Sequence, residues 1–305
     1  MNSLIVVAGA TGNLGGRIVA ALIAREARVR ALARPGAAPE KLDSLRQLGA
    51  EIVEVDYADP VALEAACAGA SCVVSALQGL RDVIVGSQSQ LLEAAVAAGV
   101  PRFIPSVYAA DITKVPDEEN RNFAWRREFR QTLLAAPIRS TSILNGMFMD
   151  LLGWGVPIFD LRKHSVSYSG EPDQQMDFTS MNDVAAYTAA AALDPNAPNI
   201  LRIAGEVASA NDLAAIGHQI TGETMTLVRL GGLDDLKYGI EAVRAAHPEQ
   251  EAEEFPRFQQ MQYMHNMQSG KAKLTPLDNA RYPELHWTGI AELVRAVRAK
   301  SGRTG

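Results

Sequence analysis

Short apolar runs alternate with longer stretches of helical spacing through the first half of the chain. Leu4–Ala8 is wholly apolar, and a 3.6-residue pattern follows from Asn13 to Arg25. The same alternation predicts strands at Val29–Ala33, Ile52–Val55, Cys72–Leu77, Arg102–Pro105 and Ser140–Leu144. It predicts helices at Lys41–Leu48, Pro60–Ala68, Asp82–Ala98 and Asn120–Ala136. Pro60 suits a first helical turn, and Gly99 suits the position just past a helix end. Apolar runs without in–out alternation, joined by helices, imply βαβ units and a parallel sheet covered on both faces. Right-handed crossovers leave a doubly wound α/β sheet as the simplest topology.

The second half is less regular. Leu161–Ser169 reads as an edge strand, and Asn182–Leu193 as an alanine-rich helix started by Asn182 and Asp183. Strands are expected at Asn199–Ile203 and Met225–Leu230. Helices are expected from Ser209 or Asn211 to Ile220 and over Leu233–Ala246, Glu249–Met267 and Thr288–Lys300. Glu251, Glu253 and Glu254 read as a solvated first turn favoured by the helix dipole. The Met and aromatic positions between Phe255 and Met267 read as core or pocket wall, with core the plainer choice.

Charge narrows the choice of partner. Against 35 acidic residues stand 29 basic ones in 305, a net charge of −6. Direct nucleic-acid binding needs a basic face and is not expected. Cys67 and Cys72 make no disulfide framework and no zinc site, and read as small buried side chains. The five histidines show no metal spacing. No signal peptide and no membrane-length apolar run is legible, so a cytoplasmic protein without membrane contact is expected.

The segment Gly9-Ala10-Thr11-Gly12-Asn13-Leu14-Gly15 lies between the first strand and the first helix. Glycines there allow a tight turn, close approach of a pyrophosphate and close helix–sheet contact. The helix N-terminus adds free N–H groups and a positive dipole end. Dinucleotide binding is expected, with a glycine-rich turn kept for side-chain fit as the alternative. The end of the second strand carries Arg34 where NAD sites hold an acid, and Lys41 follows. Two cations suit a 2′-phosphate, which favours NADP(H); a solvent-facing arginine is the alternative. None of the seven tyrosines has a lysine four residues later, so the Tyr-x-x-x-Lys arrangement of standard short-chain dehydrogenases is missing.

The opening glycine segment, Arg102-Phe103-Ile104-Pro105-Ser106, Asp177 to Ala185 and Tyr282-Pro283-Glu284-Leu285 resemble the NmrA-like and isoflavone-reductase-like branch of atypical short-chain dehydrogenases. The resemblance implies a Rossmann-type domain over 1–153 and a smaller α/β substrate-binding subdomain over 154–305, with about 176–204 returning to the first sheet. It places Gly9, Thr11, Gly12, Asn13, Leu14, Gly15, Arg34, Lys41, Gln78 and Asn145 at the cofactor. Gln88 becomes a structural position near it, and Phe148 and His164 fall at the substrate pocket. The family's catalytic lysine falls on Arg126, and its Pro-Ser-Glu-Phe-Gly segment reads Pro105-Ser106-Val107-Tyr108-Ala109 here. Arginine stays charged and is no general base, yet it can stabilise a negative oxygen. On this reading Ser106, Tyr108 and Arg126 surround the reacting oxygen, with the proton from water or Tyr108. The alternative is a surface arginine beside Arg121, Arg127 and Arg130.

The expected function is an NADPH-dependent reductase, delivering hydride to a carbonyl or conjugated double bond of a small, largely apolar or aromatic molecule. The alternative is a non-catalytic NADP(H)-binding regulator acting through a protein partner. Neither the substrate nor an oligomeric state is legible.

Overall fold

The computed structural model describes residues 3–153, 156 and 158–301. Six parallel strands form the main sheet: β1 (Leu4–Ala8), β2 (Arg28–Ala33), β3 (Glu51–Glu54), β4 (Cys72–Ser75), β5 (Arg102–Ile104) and β6 (Arg139–Ser140). Their order is β3-β2-β1-β4-β5-β6, the doubly wound order whose direction reverses between β1 and β4. Connecting helices are α1 (Asn13–Ala24), α2 (Pro39–Leu48), α3 (Pro60–Cys67), α4 (Gln88–Ala97) and α5 (Arg121–Ala135).

Local chemistry sets the helix ends. Asp59 accepts hydrogen bonds from the Val61 and Ala62 N–H groups at the start of α3, a side-chain cap ahead of a proline at the first turn. Gly49 ends α2 with φ of 99°. The expected long helix Asp82–Ala98 divides: Asp82–Ser87 is a π-turn, and α4 begins at Gln88. Inserted π-turns often mark functional positions.

Two compact units are resolved. One comprises Met1–Tyr108, Trp125–Ile143 and Val184–Leu201; the other comprises Ala109–Ala124, Leu144–Asp183 and Arg202–Gly305. The expected 153/154 boundary adjoins Trp154, which lies outside the described residues. The first unit is cored by β1, β4 and β5 side chains such as Val6, Val73 and Phe103, packed against Leu63, Leu91, Phe129 and Leu133 from α3, α4 and α5.

Remaining strands are β7 (Ser142–Leu144), β8 (Met147–Phe148), β9 (Phe159–Asp160), β10 (Ser165–Tyr168), β11 (Met176–Thr179), β12 (Ile200–Arg202), β13 (Glu206–Ala208) and β14 (Thr226–Arg229). Remaining helices are α6 (Asp150–Gly153), α7 (Met181–Leu193), α8 (Ala210–Thr221), α9 (Leu233–Ala246), α10 (Arg257–Gln268) and α11 (Ile290–Ser301). In the second unit β11 lies between β13 and β8, and β10 lies between β14 and β9. The expected edge strand is therefore central, with partners on both sides. Its core gathers Phe159, Val166, Phe178, Leu213, Met267 and Ile290. The single helix expected over Glu249–Met267 is broken: Pro248–Ala252 is a 3₁₀ turn, and α10 starts only after Pro256. Proline disfavours a helical conformation in the residue before it, which accounts for the break. Of the Met and aromatic positions of α10, Phe258 and Met267 are buried and Met261, Tyr263 and Met264 half-buried; its other buried side chains, Gln259, Gln262, His265, Asn266 and Gln268, are polar. Phe258 is fully buried with the guanidinium groups of Arg121 and Arg244 each 5.2 Å from its ring centroid, and Tyr263 meets Phe123 edge-on. Phe255 is exposed.

Candidate functional site

The glycine turn follows directly on β1. Gly9 takes a φ of +74°, and the Gly12 N–H donates to the Gly9 carbonyl at 3.0 Å. A Cβ on Gly9 would lie 2.5 Å from the carbonyl oxygen of Ala76, just past β4. A Cβ on Gly15 would overlap the Gly9 carbonyl. Both positions therefore require glycine, and together they bring α1 tight against the strand ends. Gly12 caps α1 without a side-chain hydrogen bond, and no acid stands in its first turn. Gly12 and Asn13 are exposed, and Thr11 and Leu14 half-buried. The bare, positive helix end fits a pyrophosphate.

Arg34 leaves the end of β2, and Lys41 stands in the first turn of α2. Both are exposed, and neither forms an ion pair among the described residues. Arg34 is close enough to Tyr57 for its charge to offset part of the effect of burial, which drives that phenol's pKa up. Gln78 is exposed just past β4.

Ser106, Tyr108 and Arg126 all belong to the first unit. The Arg126 Nε donates to the Val107 carbonyl at 3.0 Å. Arg126 is only 7% exposed, so the surface-arginine alternative does not describe it. Ser106 is engaged on two sides. Its N–H donates to Gln88 Oε1 at 2.7 Å, and its hydroxyl donates to the Leu77 carbonyl at 2.8 Å. Tyr108 holds a φ of +29°, rare for a bulky residue. Its hydroxyl is buried without a well-formed hydrogen bond. Burial raises its pKa, Thr188 nearby holds the rise back, and Cys72 adds to it. That phenol stays protonated at neutral pH and is a poor acid. Burial also pushes Cys67 up to about 11 and Cys72 up to about 12, which leaves both thiols inert.

Asn145, Phe148 and His164 belong to the second unit. Asn145 is fully buried. Its N–H donates to the Ala109 carbonyl at 2.8 Å, its carbonyl accepts from Thr179 Oγ1 at 2.7 Å, and its Oδ1 has no partner. Phe148 is half-buried on β8, in register with Thr179. His164 sits in the β9–β10 turn with φ of +49°, and its carbonyl accepts from the Thr226 N–H at 2.7 Å. Among the described residues no three His, Cys, Asp or Glu side chains are placed to hold a metal ion, and no helix is long and apolar enough to cross a membrane.

Residues 1–293 match the NmrA-like family. The chain belongs to that family. Among this family member's relatives, pinoresinol reductase 1 of Arabidopsis thaliana is 30% identical over 262 residues, covering 80% of this chain and 82% of the relative. The isoflavone reductase homolog IRL of Zea mays is 30% identical over 243 residues, covering 73% and 75%. In fold, the chain is similar to a solved structure described as AtPrR2 with NADP+ and (+)pinoresinol. The TM-score is 0.81 at 24% identity, over 97% of this chain and 99% of that one.

The backbone carbonyls of Leu77, Val107 and Ala76, which meet Ser106, Arg126 and Gly9, were not legible in the sequence. Carbonyls carry no side-chain signature. The glycine at position 9 was the one available sign of a close approach.

Proposed function

We propose that the chain is an NADPH-dependent reductase, delivering hydride to a carbonyl or conjugated double bond of a small, largely apolar, aromatic molecule. The observation that carries the reading is the uncapped glycine turn of β1–α1 combined with exposed, unpaired Arg34 and Lys41 at the end of β2 and the start of α2. The reductase names of the relatives support turnover rather than the regulatory alternative.

Gly12 to Gly15 hold the pyrophosphate through backbone N–H groups, and Thr11 stands beside them. Arg34 grips the 2′-phosphate in bidentate fashion, and Lys41 adds a point charge. When bound, the cofactor supplies the hydride. Arg126 acts electrostatically, stabilising negative charge while fixing the Val107 carbonyl. Ser106 orders the loop through Leu77. Tyr108, buried and with a raised pKa, is a poor donor, so water supplies the proton. Gln78, exposed past β4, is assigned to cofactor contact, and Phe148 and His164 to substrate contact; Asn145, fully buried, instead ties Ala109 to Thr179.

NADPH oxidation measured against aromatic ketones, enones and benzylic ethers, pinoresinol included, tests this reading. Turnover of at least one class is expected. NADPH binding with no turnover across the panel would return the regulatory reading.

A further inference from the structure

Gln88 is 1% exposed in an apolar interior, where an amide is costly unless its polar atoms are bonded. Both of them are. Nε2 donates to the Ile84 carbonyl inside the π-turn at 2.8 Å, and Oε1 accepts from the Ser106 N–H at 2.7 Å. Ser106 Oγ continues the series to the Leu77 carbonyl at 2.8 Å. Three hydrogen bonds thus join the start of α4, the exit of β5 and the exit of β4.

Those exits have a defined place in the sheet. A doubly wound sheet binds a dinucleotide with one nucleotide on each half, at the carboxyl ends of its strands. Arg34 leaves β2, so the 2′-phosphate and its adenosine belong to the β1–β3 half. The nicotinamide nucleotide then falls on the exits of β4, β5 and β6. The Gln88–Ser106–Leu77 series fixes two of those three exits, next to exposed Gln78.

We propose that Gln88 is a positioning residue for the nicotinamide half of the cofactor, acting through Ser106 and the backbone at Leu77. This rests on the NADPH reading above and deepens it. A purely structural glutamine would affect both halves of the cofactor alike, whereas a clasp on β4 and β5 affects one.

The test compares two ligands, NADPH and adenosine 2′,5′-bisphosphate, which lacks the nicotinamide nucleotide. Calorimetric titration of the unaltered protein comes first. Gln88→Leu removes both bonds and should raise the Kd for NADPH about tenfold, while that for the bisphosphate stays within about twofold. Gln88→Glu keeps an acceptor for the Ser106 N–H and should recover part of the loss. Ser106→Ala cuts only the tie to Leu77 and should shift the same ratio by about threefold. Equal weakening of both ligands by Gln88→Leu, or none, would overturn the proposal. If Gln88→Leu does not fold, the ratio in Ser106→Ala decides in its place. An unaltered protein that binds neither ligand fails the functional reading, and the proposal falls with it. Binding of both with an unmoved ratio fails the proposal alone.

Discussion

Gly15 of α1 lies against the Gly9 carbonyl so closely that a Cβ would overlap it. The turn therefore has no slack. Gly15→Ala must push the helix off the turn, and overpacking of this kind typically costs about 1–3 kcal/mol. Gly9→Ala adds a left-handed backbone to a close approach to Ala76. Both variants should lower Tm and weaken NADPH binding by tenfold or more. Gly69→Ala, at a φ of +75° but with open space around it, is the control. It should cost only about 1 kcal/mol and leave binding nearly intact. Thermal melts paired with titrations check all three.

Arg34 stands alone at the end of β2. Arg34→Glu replaces a phosphate clamp with the acid that a 2′-hydroxyl prefers. The Kd for NADPH should rise by about a hundredfold or more, the sum of a lost charge-assisted pair and new repulsion, while NADH binding holds or improves. Lys41→Ala should act in the same direction with a smaller effect.

Arg126 is tied by Nε to the Val107 carbonyl. Arg126→Ala leaves that buried carbonyl without this partner, so a stability loss of about 1–3 kcal/mol should accompany loss of activity. Arg126→Lys retains the positive charge and should keep measurable turnover. The pH–rate profile separates the two residues. The arginine contributes no alkaline limb, whereas the lysine introduces one as its amine deprotonates.

His265 is buried on α10, and burial lowers its pKa below 6.5. Glu119 and Asp234 oppose that shift, while Lys271 and Lys237 reinforce it. The unfolded chain takes up its proton first as pH falls. The stability it contributes is thus full above about pH 6.5 and is lost as pH drops through the folded-state pKa. Urea unfolding at several pH values between 7.5 and 5 should show this slope in the unaltered protein and a shallower one in His265→Gln.

Much of the first unit was legible because its signals are local. Gly9, Gly12 and Gly15 announce a turn, apolar runs announce buried parallel strands, and Pro60 announces a helix start. The placement of Arg34 just past β2 and of Lys41 in the first turn of α2 was legible for the same reason. Arg126 was identified as a candidate, but its burial was not, because burial depends on what α5 meets. Tyr108 was expected to face the chemistry. Its hydroxyl instead lies buried beside Cys72 and Thr188, from β4 and α7, strands and helices more than thirty residues away. The break before Pro256 was missed although its cause is local, the proline itself; the central place of β10 was missed because its partners β14 and β9 leave no local signal.

The account turns on the glycine turn and Arg34 together selecting NADPH. Titrating the purified chain with NADPH and NADH side by side, by the quenching of its tryptophans, tests that directly. The account predicts binding of NADPH at least tenfold tighter than NADH, a preference of about 1.4 kcal/mol or more. Equal affinity for the two, or no binding of either, would contradict it.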